Sequence, residues 1–208
     1  MKTLNKIVTL VLLIVLLGGC AKIYKSKNML TQIHKHKVIA VLPTQLTFKE
    51  PEKPDNEVRD DIIGVEGMDF QLRIYYFLLS RKKREEIAVE VLDLATTNDR
   101  LGKIDYNADE SVTSSSEIAV LLGVDSVIKP HVKVDWGKRT SYPGYGKCRP
   151  VCINLILEIY DSETQEVIWG FSGKRNNNIA CYAPFLQDML DDLLESSTRK
   201  IPYIINSK

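Results

Sequence analysis

Few residues in this chain have types and spacings that could do chemistry. There are four cysteines, Cys20, Cys148, Cys152 and Cys181, and three histidines, His34, His36 and His131. A thiol can serve as nucleophile, metal ligand, half of a disulfide or acylation site, and its neighbours decide which. Cys148 and Cys152 stand as C-x3-C, not the redox C-x2-C, and no second pair completes a zinc set. His34-x-His36 offers two imidazoles without a carboxylate or cysteine nearby in sequence, so no metal site is assigned. Ser114-Ser115-Ser116 reads as a helix start, Asp60-Asp61 as a helix cap and Asp191-Asp192 as a solvated helix face. No G-x-S-x-G elbow, P-loop or Rossmann glycine pattern occurs. The chain is not expected to be an enzyme, and no cofactor is expected.

Cys20 has the most informative surroundings. Lys2 and Lys6 precede Ile7–Leu17, eleven residues with Thr9 as the one polar member. That run is too short to cross a bilayer, which takes about 20 residues. A charged start, a short apolar run and small residues describe a secretory signal. Leu17-Gly18-Gly19-Cys20 resembles the lipobox of bacterial lipoprotein precursors. The resemblance implies a signal peptide over 1–19, cleavage before Cys20, a diacylglyceryl group on its thiol and acylation of the new amine. Ala21 is not the aspartate that retains some lipoproteins in the inner membrane. By that analogy the chain is expected at the outer membrane, facing the periplasm.

The chain beyond residue 19 can fill one domain with a sizeable core. At 44% hydrophobic and 26% charged, its composition is that of a folded protein. The signal holds two of the 28 basic residues, which leaves the rest close to balance with 27 acidic ones. Near-neutrality argues against a dedicated nucleic-acid binder.

These residues need a frame to position them. Residues 20–36, the acylated cysteine and a polar, basic stretch, read as a tether, and 37–205 as a single α/β domain. The apolar run 37–43 reads as a buried strand. Residues 44–60 read as a loop. Val65, Met68, Leu72, Tyr75, Tyr76 and Leu79 mark a helical face. A strand is expected at 87–92 and an irregular stretch over 93–111, with a helical turn near 98–101. Thr113 or Ser114 should cap a helix that ends at Gly123. Residues 124–136 alternate as a strand, and Pro130 suggests a sheet edge or a bulge. Residues 150–161 and 166–173 form a hairpin, and Leu186, Met189, Leu190, Leu193 and Leu194 a final helix. The order β-α-β-α-β-β-β-α predicts one layered α/β domain with a mixed sheet flanked by helices.

Several segments together resemble a superfamily of envelope lipoproteins that includes CsgG, LpoB, PelC and the N-terminal domain of TolB. They are Val38-Ile39-Ala40-Val41-Leu42-Pro43, Leu121-Leu122-Gly123-Val124-Asp125-Ser126-Val127-Ile128, Asp161 with Gln165-Glu166-Val167-Ile168-Trp169, and Lys200-Ile201-Pro202-Tyr203. Gln165 departs from the usual turn glycine. The resemblance implies a non-enzymatic binding or scaffolding module, with an envelope protein or further copies of itself as partner. It also allows a subunit of a CsgG-like export pore. An envelope hydrolase lacks a nucleophile–base pair. The nominated partner surface is the glycine-rich loop Gly137–Arg149, with Arg139, Tyr142, Tyr145 and Lys147, because tyrosine and arginine dominate interface hot spots. Counting outwards from Asp161 opposite Glu166 brings Cys148 opposite the region of residue 179. A Cys148–Cys181 disulfide is therefore expected in an oxidising compartment.

Overall fold

The computed structural model describes residues 21–49, 56–104, 106, 114–137, 140–142, 146–180 and 184–204. Its strands are β1 (Lys22–Lys25), β2 (Val38–Val41), β3 (Gln45–Lys49), β4 (Glu90–Val91), β5 (Ser126–Trp136), β6 (Thr140–Tyr142), β7 (Gly146–Asp161) and β8 (Val167–Ala180). The helices are α1 (Met29–Lys35), α2 (Asn56–Lys83), α3 (Leu94–Gly102), α4 (Ser115–Leu122) and α5 (Pro184–Thr198). The strands make one mixed sheet in the order β1-β8-β7-β5-β2-β4, with β3 also beside β5 and β6 beside β7. The expected α/β architecture is the observed one.

Alternation along the strands divides the interior in two. Val151, Ile153, Leu155, Leu157 and Ile159 of β7, Trp169 and Phe171 of β8, and Ile128, Val132 and Val134 of β5 face one way, against α1, α2 and α5. Ala40, Leu42 and Val127 face the other way, against Leu101 of α3 and Ile118, Ala119 and Leu122 of α4. Each fully buried large side chain stabilises the fold by roughly 1.5–3 kcal/mol. The longer helical layer therefore holds most of that contribution. Ser114 caps α4 in a reciprocal box with Glu117, and Gly123 ends it at φ 67°, as its sequence predicts.

The structure corrects several expectations. Residues 22–35 are not a free tether. β1 pairs antiparallel with β8, and α1 buries Met29, Gln32 and Ile33. Gln45–Lys49, expected in a loop, pairs parallel with β5. α2 begins at Asn56, so Asp60 and Asp61 lie inside it and not at its N-cap. Its buried line is Phe70, Ile74 and Leu78, while Leu72 and Tyr76 are 37% and 59% exposed. Apolar residues surround this helix, so spacing alone could not choose the face that meets the sheet. Residues 94–102 form a full helix capped by the Asp93 side chain, in place of a single turn.

β5 is an interior strand, not an edge, and the reason lies in how Pro130 is placed. The Leu42 N–H donates to the Ile128 carbonyl, so the backbone groups of residue 128 face β2. Those of residue 130, two positions on, face the same side. There β2 has ended at Val41 and β3 has not begun before Gln45. Pro130 sits in that interruption, where no N–H is needed.

Candidate functional site

One buried polar cluster joins four distant parts of the chain. His36 follows α1, Ser126 opens β5, Asp161 ends β7 and Tyr203 follows α5. His36 Nε2 lies 2.7 Å from Asp161 Oδ2, and its Nδ1 lies 2.7 Å from Tyr203 Oη. Ser126 Oγ lies 2.6 Å from the same Tyr203 oxygen. Asp161 Oδ1 accepts from the Thr164 N–H and hydroxyl at 2.6 and 2.7 Å. One consistent direction runs through the cluster: Ser126 donates to Tyr203, Tyr203 to Nδ1, and Nε2–H to the carboxylate. Burial works against the Asp161 charge, but the Thr164 donors and the His36 ring still hold its carboxyl below the usual range. Burial pushes the Tyr203 phenol up, so it stays protonated and able to donate.

A serine, a histidine and an aspartate in line invite comparison with a hydrolytic triad, but the order and burial differ. The tyrosine stands between serine and imidazole, and Ser126 and Asp161 are 0% and 1% exposed. A substrate carbonyl has no approach to Ser126 Oγ. The cluster clasps the N-terminal segment, the β7–β8 turn and the C-terminal segment to the sheet. Beside it, Asp125 Oδ2 accepts the N–H groups of Lys37 and Val38 at 2.6 and 2.8 Å, which fixes the entry to β2. Sequence reasoning missed His36 because its carboxylate partner lies 125 residues away.

Two surface features lie elsewhere. Ala21, Phe171, Gly173, Lys174, Arg175, Leu193, Ser196 and Lys200 enclose a cavity of about 110 Å³ where β1 begins beside β8 and α5. At the far end of the sheet, Asp135, Gly137, Pro150, Val151, Cys152 and the Asn176–Asn177 pair border a wider groove of about 350 Å³. That groove adjoins the segment nominated as the partner surface. The segment is more regular than expected: β6 pairs with the start of β7, with Tyr142 opposite Gly146, Ser141 opposite Lys147 and Thr140 opposite Cys148. Tyr142 and Lys147 thus sit at neighbouring positions of one ribbon.

No protein-family model matches this chain, and no curated protein matches it in sequence. Similar solved structures include lipoprotein GNA1162 from Neisseria meningitidis, at 12% identity and TM-score 0.44, covering 79% of this chain and 99% of that one. They also include the PelC dodecamer from Paraburkholderia phytofirmans, at 13% identity and TM-score 0.43, covering 86% of this chain and 95% of that one. The LpoB C-terminal domain from Salmonella enterica is similar at 14% identity and TM-score 0.33, covering 72% and 95%.

Cys20, Arg139, Tyr145 and Cys181 lie outside the described residues. Among the described residues, no three His, Cys, Asp or Glu side chains converge as a metal set. His34 is exposed and His36 buried, so the two histidines do not act as a pair. His131 lies on a strand face with its Nε2 2.8 Å from Thr47 Oγ1. Asp191 and Asp192 are exposed, as expected, and pair with Arg73 and Arg175.

Proposed function

We propose that the chain is an envelope lipoprotein, acylated at Cys20, whose domain binds or scaffolds other envelope components without catalysing a reaction. The observation that carries this reading is the start of the fold. β1 begins at Lys22, two residues after the lipobox cysteine, and pairs at once with β8. A chain cut before Cys20 would keep β1 and every other described element. The burial of the Ser126–His36–Asp161 cluster supports a role without catalysis. The long β7–β8 hairpin gives one face to the domain's own core, so it suits a scaffold better than a membrane-crossing pore wall.

The test of anchoring is metabolic labelling with a radioactive fatty acid. Cys20→Ser should abolish the label and release the protein from the membrane fraction; unchanged label would overturn the reading. For the binding surface we nominate the ribbon carrying Arg139, Tyr142, Tyr145 and Lys147. Crosslinking in cells, followed by mass spectrometry, should capture an envelope protein or a second copy. Tyr142→Ala with Tyr145→Ala should reduce that capture about tenfold or more, as loss of one or two interface hot spots does. Unchanged capture by a folded double variant removes the ribbon from consideration.

A further inference from the structure

We infer that the cavity beside Ala21 seats the phosphate of an anionic phospholipid headgroup in the same membrane that holds the anchor. The inference rests on the acylation proposed above and adds a second lipid contact to it. Lys174, Arg175 and Lys200 supply three cations to its wall, and Ser196 supplies a hydroxyl. Arg175 is already paired with the Asp192 carboxylate at 3.9 Å, so Lys174 and Lys200 bring most of the positive charge. The Lys200 ammonium stands 5.2 Å over the Phe171 ring, a contact that positions a cation without neutralising it. Lys174 and Lys200 are exposed.

Position decides which anion fits. Ala21 borders the cavity and is the residue after Cys20, so acyl chains on that thiol begin about one residue, or 3–4 Å of backbone, from it. A cavity so close to the membrane surface meets headgroup phosphates at a local concentration that free anions do not match. Lys22, Lys25 and Lys27, in the segment that follows Cys20, are also exposed and add attraction to an anionic leaflet. A free phosphate offers the same oxygens without that proximity.

The test uses the full acylated chain in nanodiscs, one set of phosphatidylcholine and one of equal parts phosphatidylcholine and phosphatidylglycerol. Lysine acetylation rates are read by mass spectrometry. Lys174 and Lys200 should react severalfold more slowly in the anionic discs, while Lys103, on α3's side of the sheet, is unchanged. In flotation, Lys174→Gln with Lys200→Gln should lower the preference for anionic discs by about fivefold per cation removed. Equal rates in both discs overturn the inference, as does equal slowing of every lysine. Protection by millimolar inorganic phosphate in zwitterionic discs would assign the cavity to a free anion instead. The mass of the N-terminal peptide reports acylation separately. An unacylated chain still presents both lysines to added anionic vesicles, so failure of the anchor and failure of the cavity give different results.

Discussion

Tyr203 carries its hydroxyl into a part of the molecule where Ser126 and His36 meet it. Tyr203→Phe keeps the ring and leaves both partners short of a hydrogen bond in a buried place. The expected cost is about 1–3 kcal/mol, read as a lower urea midpoint with an unchanged slope. Asp161 gives the cluster its pH dependence. An unfolded aspartate titrates near about pH 3.9, and the folded value is lower. Its contribution is thus fully present above the unfolded value and is lost as pH falls through the folded one. Urea midpoints of the parent should fall below about pH 4, and those of Asp161→Asn should fall less over the same range. A parallel fall in both proteins would assign the acid sensitivity elsewhere. Gln165 is the other informative residue. It adopts φ 58°, a left-handed conformation that costs a side-chain-bearing residue roughly 1–2 kcal/mol. The departure from glycine was visible in the sequence; that the turn keeps a glycine's conformation was not. Gln165→Gly should raise the unfolding midpoint, by about 1 kcal/mol of stability, and a lowered midpoint would contradict the turn geometry.

At the scale of elements, legibility followed the number of strong local signals. The α4 cap and stop, the β7–β8 hairpin and the Trp169 core strand stood in the sequence because each rests on neighbours a few residues apart. β3 did not, because Gln45–Lys49 is paired by β5, far along the chain, and its own residues carry no apolar run. The buried face of α2 was hidden by apolar residues on its other faces. Register was hidden too. Tyr160 faces Val167 as simple counting expects, but two irregularities then advance β8 by one residue each, and Arg149 faces Ala180. Cys148 precedes Arg149 and Cys181 follows Ala180. Cys181 lies outside the described residues, so the Cys148–Cys181 disulfide stays a proposal. Cys152 faces Asn176 and remains a free thiol. A non-reducing peptide map should show the 148–181 link, and its reduction should cost about 2–4 kcal/mol. Three free thiols in protein taken from the periplasm would remove it.

For the whole molecule, the segment before β2 was the part least legible. The stretch from Ala21 to His36 is polar, basic and without period, which is how a linker looks. It folds because the rest of the chain provides a strand edge for β1 and a slot for Met29, Ile33 and His36. A chain starting at Lys37 should therefore lose several kcal/mol, since two apolar side chains alone account for about 3–6 kcal/mol, and it also gives up the imidazole of the clasp. Its thermal midpoint should drop by about 10 °C or more, to the point of not folding. Equal midpoints for the two chains would mean that the segment only rests on the domain.

The immediate onset of β1 also fixes how the protein can search for what it binds. A flexible leash of sixteen residues could extend about 50 Å and let the domain sample a hemisphere of periplasm above its anchor. With β1 paired to β8, acylation at Cys20 as proposed would shrink that hemisphere to a layer about one domain thick. With Cys20 acylated as proposed, the domain would diffuse in two dimensions with a restricted tilt, its β1 end held near the bilayer. A partner seated deeper in the periplasm must itself extend down to the membrane to be met. A partner already in that layer is met at a higher effective concentration, with most of its orientation settled before contact.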